Sequence, residues 1–298
     1  MYSDLNLLDV FHGDLTANRA VVYARLPRAA DDAGLSLGGH VRGPRCLHAE
    51  TLPATAPLVD LGPGPTLLAQ AVVTEPCFWS PDLPAIYDVV IKLQRGDEVV
   101  ATARREIGLR ALGICGRNIV LEGKRCVLRG VSTHATSARL PRQWHDVQAA
   151  YMSDDADPEV LIEASQWGAL AVVFVPDVRD DSTPRRIRDL AQFPAVAIAA
   201  TDAPLPPDFE KSRVAPNLLL AQWLGPDLRS PPQPWADLLL VAADEPALVV
   251  EAAERTEMPV IAARFLVDTP LDIATARTAC DHLQRDLAPI GQFAGYIV

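Results

Sequence analysis

Residues 77–134 read CFWSPDLPAIYDVVIKLQRGDEVVATARREIGLRALGICGRNIVLEGKRCVLRGVSTH, and this stretch indicates how the chain is organised. Within it, residues 86–94 and 98–106 carry β-favouring side chains on either side of Arg95-Gly96-Asp97. Two such runs around a Gly-containing turn predict a β-hairpin. The stretch therefore predicts strand-rich structure that continues up to the motif at its carboxyl end.

The amino-terminal part of the chain also has β-character. Residues 19–26 and 67–74 are short β-rich runs, and Gly and Pro residues break the sequence between them. Short strands separated by such residues are typical of an all-β sandwich. Residues 111–125 contain two apolar runs with turns at Gly116 and Gly123, which predicts a hairpin that connects this part to the rest of the chain.

Chain length, net charge and cysteine spacing limit the classes of function that this sequence suggests. The 298 residues suggest one large or two ordinary domains, and the net charge of −11 opposes binding to nucleic acid or to an anionic membrane surface. The five cysteines form no CxxC pair, so we expect neither a metal nor another cofactor. We see no signal peptide at the start of the sequence and no apolar run of about 18 residues, so the expected location is cytoplasmic.

From Cys126 onward the pattern changes to apolar, strand-length runs that alternate with helical segments. Asp157-Pro158 predicts the start of a helix that Gly168 ends, because Asp caps and Pro is accepted in the first turn. Thr183-Pro184, Pro246 and Asp272 begin further predicted helices, the last of which runs to Leu287. The predicted strands fall at residues 126–132, 169–176, 195–201, 217–224, 236–244, 258–266 and 293–298. Such alternation indicates a mainly parallel sheet with helical crossovers.

Two motifs carry a resemblance to a known family. Phe78-Trp79-Ser80-Pro81-Asp82 and Leu128-Arg129-Gly130-Val131-Ser132-Thr133-His134, separated by a strand-rich span, resemble the join between the sandwich and the barrel of family 2 glycoside hydrolases, the β-galactosidase and β-glucuronidase group. The resemblance implies an immunoglobulin-like β-sandwich over residues 1–110, the connecting hairpin over 111–125 and a (β/α) barrel over 126–298. Because such barrels usually take roughly 200 residues or more, we expect a shortened one, with a reduced unit within residues 133–156.

The family's two catalytic glutamates are replaced in this sequence. The acid/base glutamate of the family follows a strand resembling HPSVIIWSLGNE, and the matching residues 193–204 read FPAVAIAATDAP, so the Asn-Glu pair falls on Ala203 and Pro204. The nucleophile lies in a strand resembling PVIVTEYG, and its place is taken by Arg264. Neither Ala nor Pro can transfer a proton, and arginine stays protonated and cannot attack an anomeric carbon. These replacements argue against family-type hydrolysis.

Other carboxylates stand at the ends of predicted strands, where barrel active sites form. Asp202 lies one residue before the expected Asn-Glu place, and Asp177 and Asp244 end neighbouring strands. Asp202 with Asp177 or Asp244 is therefore a weak candidate for a displaced catalytic pair. Aspartates at strand ends also serve as caps and turn residues, and we expect an ion pair between Arg264 and one of them.

Three residues are candidates for ligand binding. His134 follows the first barrel strand, and Trp223, near the end of a later strand, offers a ring on which a sugar could stack. Arg129 lies within the first barrel strand and as a charge there needs a partner, for which Asp202 and Asp244 are candidates. Each of the three also has an ordinary structural interpretation as a capping, packing or ion-paired residue.

The sequence leaves three functions open. The first is a catalytically inactive relative of family 2 glycoside hydrolases that binds a glycan or a protein partner. The second is an active O-glycosyl hydrolase that uses the displaced carboxylates. The third is a purely structural interaction module without a ligand.

Overall fold

The computed structural model describes residues 5–28, 34–154, 157–176, 182–207, 209–210, 214–225, 231–244, 246–265 and 270–298. The chain divides into two compact units. The first comprises Met1–Arg110 together with Gln192–Pro194, and the second comprises Ala111–Ala191 and Ala195–Val298.

The first unit is a seven-stranded antiparallel sheet preceded by a short 3-10 helix, Leu5–Leu7. Its strand order is β1-β2-β5-β4-β3-β6-β7. The predicted runs at residues 19–26 and 67–74 are confirmed as β2 and β5, and the predicted hairpin is confirmed as β6 and β7. The strands are β1 (Asp9–Thr16), β2 (Arg19–Pro27), β3 (Leu35–Arg45), β4 (Ala54–Asp60), β5 (Thr66–Thr74), β6 (Ile86–Arg95) and β7 (Glu98–Ile107).

Alternation along these strands builds the core of the first unit. In β6 the side chains of Val89, Ile91 and Leu93 are buried, and their neighbours Val90 and Lys92 are not. Period-2 alternation places every second side chain on the same face of the sheet. That face packs with the buried residues of β2, β3 and β5 into one hydrophobic cluster.

Arg110 makes several buried contacts in this unit. The main-chain N–H of Arg110 donates to Nε2 of His12 at 3.3 Å, and the Arg110 guanidinium lies 5.8 Å from the ring centre of the fully buried Trp79. The same guanidinium donates to the carbonyl oxygen of Pro194. Burial lowers the pKa of Arg110 to about 10. Burial also lowers the pKa of His12 to about 3, with a smaller contribution from the Arg110 charge.

The second unit contains a three-stranded antiparallel sheet and a closed barrel of eight parallel strands. Residues 112–126 form the small sheet. The barrel includes one strand that the sequence pattern did not predict, β12, which lies within the stretch 133–156. The strands of this unit are β8 (Leu112–Cys115), β9 (Asn118–Leu121), β10 (Lys124–Cys126), β11 (Leu128–Ser132), β12 (Ala150–Ser153), β13 (Ala171–Phe174), β14 (Val196–Thr201), β15 (Leu219–Leu224), β16 (Leu238–Ala242), β17 (Val260–Ala263) and β18 (Gly295–Ile297).

The helices of the barrel begin and end largely where the sequence predicts. Asp157 accepts a hydrogen bond from Glu159 N at 2.9 Å, and Gly168 ends that helix with a left-handed φ of 77°. Asp272 caps the last helix by accepting from the main-chain N–H groups of Ala274 and Thr275. The helices are α1 (Pro141–Asp146), α2 (Pro158–Trp167), α3 (Thr183–Leu190), α4 (Pro246–Glu254) and α5 (Ile273–Leu287). Within the described residues, no helix combines the length and apolar character that crossing a membrane requires.

The barrel closes between its first and last strands. Leu128 pairs with Gly295 and Gly130 with Ile297 in parallel register between β11 and β18. A Cβ atom on Gly295 would lie 2.8 Å from the carbonyl oxygen of Leu128, so the strands can approach this closely because that position carries no side chain.

Candidate functional site

The carboxyl ends of the barrel strands surround a pocket of about 240 Å³. The carboxyl end of such a barrel is where ligand sites form, because the loops that follow the strands meet there. The residues that line the pocket come from strands that are far apart in the sequence. The lining residues are Ser132, His134, Met152, Ser153, Asp154, Phe174, Trp223 and Phe265.

One part of the pocket wall is aromatic. Trp223 lies with its ring centre 6.2 Å from that of Phe174, at an interplanar angle of 77°. The ring centre of Phe265 lies 5.6 Å from that of Trp223, and the two rings are tilted by 45°. Edge-on and tilted pairs at these separations are favourable arrangements of aromatic rings. The three rings therefore form one connected aromatic wall, supplied by β13, β15 and the segment after β17.

Another part of the wall is polar. The Nε2 atom of His134 lies 3.1 Å from Oδ1 of Asp154. The His134 side chain is 69% exposed and that of Asp154 is 53% exposed, so both reach solvent at the pocket. The hydroxyl oxygen of Ser132 accepts a hydrogen bond from the main-chain N–H of His134 at 3.2 Å, which fixes the start of the loop after β11.

Buried packing beneath the polar wall holds β11 and β12 together. The indole N–H of the buried Trp144 donates to the carbonyl oxygen of Val131 at 2.9 Å. The Trp144 ring also contacts Tyr151 edge-on at 5.0 Å. Because β11 and β12 are parallel, with Ser132 paired to Met152, their carboxyl ends bring His134 and Asp154 to the same edge of the barrel.

The structure places two of the three predicted ligand-binding residues, His134 and Trp223, on the pocket wall. The third, Arg129, is turned outward instead. Its Nε donates to Oε1 of Gln284 at 2.9 Å and lies 3.6 Å from a carboxylate oxygen of Asp281, both on α5. The reason is the alternation of side chains along β11: Ser132 faces the barrel interior, so Arg129, three positions earlier, faces the helices. The expected partners of Arg129 were Asp202 and Asp244. Its observed partners are instead residues of α5.

The structure describes the residues that the resemblance assigns to the family's two glutamate positions. Ala203 is buried, and its main-chain N–H donates to the Thr201 hydroxyl at 3.0 Å, whereas Pro204 is exposed. The main-chain N–H of Arg264 donates to Ile297 O at 2.9 Å, and its side-chain Nε donates to Ala243 O at 3.1 Å. Arg264 is thus anchored to main-chain oxygen atoms of the two strands that flank β17.

The structure describes two of the three aspartates that were candidates for a displaced catalytic pair. Asp202 and Asp244 follow β14 and β16 at the carboxyl end of the barrel, and both are exposed. Asp177 lies outside the described residues. Within the described part of the chain, the ion pairs do not join Arg264 to Asp202 or Asp244. The ion pairs of the second unit include Arg117–Glu257, Arg129–Asp281, His134–Asp154 and Arg277–Asp281.

Sequence reasoning missed six of the eight lining residues, among them Asp154, Phe174 and Phe265. Asp154 follows β12, and the sequence pattern did not identify that strand, so its carboxyl end was not considered. Phe174 ends β13 inside a continuous apolar run, and Phe265 directly follows Arg264. A rule that counts large aromatic residues at strand ends as pocket candidates would have found both phenylalanines.

Among the described residues, no group of three or more His, Cys, Asp or Glu side chains is placed to hold a metal ion. The pocket wall offers a single carboxylate and one imidazole from those residues. The chemistry that this arrangement supports is the binding of a polar, uncharged or cationic molecule with one apolar face.

A closed parallel barrel with a pocket at its strand ends, in a chain with an antiparallel β-unit, agrees with the family resemblance carried by the sequence motifs. A model of the family described as glycosyl hydrolases family 2 matches residues 47–110. The comparisons therefore confirm the relationship of this chain to family 2 glycoside hydrolases.

Particular proteins are similar to this chain in sequence or in fold. The β-galactosidase of Klebsiella pneumoniae (strain 342) is 36% identical over 105 residues, which cover 34% of this chain and 10% of that protein. The β-glucuronidase of Bacteroides uniformis superposes with a TM-score of 0.64 at 12% identity, over 99% of this chain and 46% of that one. The β-D-glucuronidase of Dictyoglomus thermophilum gives 0.60 at 13% identity, over 97% and 61%. This chain thus spans only part of these relatives, and the structural matches show a shared fold.

Proposed function

We propose that this chain is a relative of family 2 glycoside hydrolases that binds carbohydrate at the mouth of its barrel and does not cleave it through the family's glutamate pair. The observation that carries this proposal is the pocket itself. It joins the aromatic wall of Phe174, Trp223 and Phe265 to the polar pair His134 and Asp154 at the carboxyl end of the barrel.

The two walls suit a sugar. A sugar ring has an apolar face of C–H groups and an edge of hydroxyl groups, which match an aromatic surface and hydrogen-bonding side chains. Ligand pockets in proteins are mostly apolar, with a few polar groups that set the ligand's orientation. At about 240 Å³ the pocket lies below the range of about 300–1,000 Å³ that is usual for drug-sized ligands, so a single sugar ring is a suitable occupant.

The residues assigned to the family's catalytic positions support the proposal that this chain does not cleave glycosides by the family mechanism. A glycosidase needs one carboxylic acid to protonate the leaving group and one carboxylate to act as nucleophile or base. Pro204 and Arg264 stand at those positions and can do neither. The Arg264 side chain donates from Nε to Ala243 O, and it is not among the described residues that line the pocket.

An active hydrolase with displaced carboxylates is the alternative. It has one favourable feature: Asp202 and Asp244 are exposed at the same end of the barrel, after β14 and β16. Catalysis would require two carboxyl groups about 5–5.5 Å apart for retention or about 6.5–9.5 Å apart for inversion. A purely structural module is less consistent with an open pocket that has exposed polar groups.

We also infer that the sheet of the first unit is folded into an immunoglobulin-like sandwich. The strand β4 pairs with β3 through five residue pairs but with β5 through only two, as expected where a strand passes from one sheet to the other. Buried residues of β2 and β5 share one hydrophobic cluster with those of β3 and β6. Methyl–methyl nuclear Overhauser effects between Val22 and Val89 or Ile91 would test this arrangement.

A glycan array followed by titration of the strongest ligand tests the proposed function. We expect binding that Trp223→Ala weakens by about tenfold or more, because stacking on the indole is lost. Trp167→Ala is the matched control, since Trp167 lies on α2 outside the pocket wall, and it should bind as the wild type does. Absence of binding to every glycan, or equal binding by Trp223→Ala and wild type, would overturn the proposal.

A further inference from the structure

We infer that the pocket selects sugars that carry a protonated amino group over neutral sugars, and neutral sugars over uronic acids. This inference rests on the proposed carbohydrate binding and adds the chemical class of the ligand. Its basis is the charge of the wall and the arrangement of the aromatic rings around it.

The charge of the pocket favours a cation. Of its described lining residues, Asp154 is the one with a carboxylate, and neither lysine nor arginine is among them. The chain as a whole has a net charge of −11, which raises the local concentration of cations over anions at its surface. An amino group bound here would therefore gain attraction, whereas a carboxylate on the ligand would meet a like charge.

The carboxylate of Asp154 can accept hydrogen bonds from such a ligand. Its Oδ1 atom pairs with His134 Nε2, and an ionised carboxylate can accept at about four lone-pair positions. The side chain is 53% exposed, so a ligand can reach the remaining positions. The imidazole of His134 is the other titratable group on this wall, and through the hydrogen bond it orients the carboxylate.

The aromatic wall provides the second source of attraction. A cation held against the face of an aromatic ring is stabilised by the negative charge density of that face, most strongly for tryptophan. The strand β15, which carries Trp223, is four strands from β11 in the closed ring of eight, and so is across the barrel from the loop that carries His134. A ring between the two walls therefore meets the indole on one side and the His134–Asp154 pair on the other.

The selectivity would distinguish this chain from several proteins that share its fold. Those include the β-glucuronidases of Bacteroides uniformis and Dictyoglomus thermophilum, whose names refer to an anionic sugar. A uronic acid placed in the present pocket would bring its carboxylate to a wall whose described side chains offer Asp154 and no permanent cation.

A matched series of three methyl glycosides tests the inference: methyl β-D-glucosaminide, methyl β-D-glucoside and methyl β-D-glucuronide, titrated by ligand-observed NMR at pH 7 and low salt. We expect the glucosaminide to bind about fivefold more tightly than the glucoside, because an exposed ion pair and a cation–π contact each contribute modestly. The glucuronide should bind more weakly than the glucoside.

Two variants test whether the charge of Asp154 contributes to the preference for the glucosaminide. Asp154→Asn keeps the size of the side chain and removes its charge, so the ratio of glucosaminide to glucoside affinity should fall from about fivefold to about twofold, because the cation–π contact with Trp223 remains. Asp286→Asn removes the same charge from an exposed position on α5 and should retain the wild-type ratio. Methyl N-acetyl-β-D-glucosaminide on the wild-type protein provides a second test that needs no variant, since acetylation removes the ligand's charge and should remove its advantage.

The outcomes separate this inference from the proposed function. Equal affinity for the glucosaminide and the glucoside, or tightest binding of the glucuronide, would refute the amino-sugar preference and leave carbohydrate binding intact. Failure of all these glycosides to bind would refute this inference, and the glycan array decides separately whether carbohydrate binding itself is refuted. A preference of unchanged size in Asp154→Asn would refute the role of Asp154.

Discussion

His134 and Asp154 follow neighbouring barrel strands and meet at the pocket, with Nε2 of His134 3.1 Å from Oδ1 of Asp154. Twenty residues separate them in the sequence, and the parallel pairing of β11 and β12 brings them together. Because both side chains are more than half exposed, solvent screens their interaction, and the pair contributes little to the stability of the fold.

This leads to a prediction for Asp154→Asn. Exposed ion pairs typically contribute about 0–1 kcal/mol, so the free energy of unfolding should change by less than about 1 kcal/mol in urea denaturation. The glycoside selectivity described above should change in the same variant. A loss of several kcal/mol would show that Asp154 is a structural residue rather than a ligand-facing one.

Aryl glycosides should not be turned over. The family resemblance implies that Pro204 and Arg264 stand at the family's catalytic positions, so we expect release of p-nitrophenol from β-galactoside, β-glucoside and β-glucuronide substrates to equal the uncatalysed rate. The Asp202→Asn and Asp244→Asn variants should give the same result. Turnover by the wild type that disappears in Asp202→Asn would instead support the displaced-carboxylate hydrolase.

Gly295→Ala should destabilise the barrel at its closure. The added Cβ would lie 2.8 Å from Leu128 O and 3.3 Å from Ile261 Cγ1, so strands β11, β17 and β18 would have to separate. Overpacking of this kind typically costs about 1–3 kcal/mol, measurable by urea denaturation. Gly113→Ala is the control, because its Cβ would meet only Val120 Cγ2 at 3.9 Å, and its stability should change little. Equal stability of the two variants would contradict the tight closure.

The buried His12 should make stability fall in acid. Its pKa is lowered to about 3, mainly by burial, whereas in the unfolded chain it is about 6.5. Between these values the unfolded chain binds the proton and the folded chain does not, so stability decreases as the pH falls below about 6.5. The contribution is about 1.4 kcal/mol per pH unit.

His12→Gln tests this contribution, since a glutamine oxygen can still accept the hydrogen bond that Arg110 N donates to His12 Nε2. Its free energy of unfolding should decline less steeply than that of the wild type between pH 6.5 and pH 4.5. His48→Gln, at an exposed position, should decline as the wild type does. Parallel slopes for His12→Gln and the wild type would show that His12 titrates normally in the folded protein.

Local signals in the sequence were sufficient for most of the regular elements. Asp157 and Gly168 mark the ends of α2 because a cap and a left-handed residue are determined by near neighbours. The turn at Gly96, with a φ of 58°, similarly defines the hairpin of β6 and β7. By contrast, β12 has only four residues and follows a short helix, and no alternation or turn residue distinguishes it in the sequence. Its pairing with β11 and β13 defines it as a strand.

The candidate site was predictable only in part for a related reason. His134 and Trp223 were accessible from sequence because they stand at the ends of strands that the sequence reveals. Whether a strand residue faces the interior or the helices depends on register, and for this reason Arg129 was expected at the ligand site but faces α5. Phe174 and Phe265 read as ordinary apolar residues until the barrel places them beside Trp223.

The sequence by itself determined most of the regular elements, the family resemblance and the expectation that Pro204 and Arg264 replace the family's glutamates. These depend on residue identity and on contacts between near neighbours in the chain. Only the tertiary structure decided that eight strands close the barrel and that Asp154 joins His134 opposite Trp223. Those features depend on pairing between residues distant in sequence, and the closure of a parallel sheet determines which side chains share one pocket.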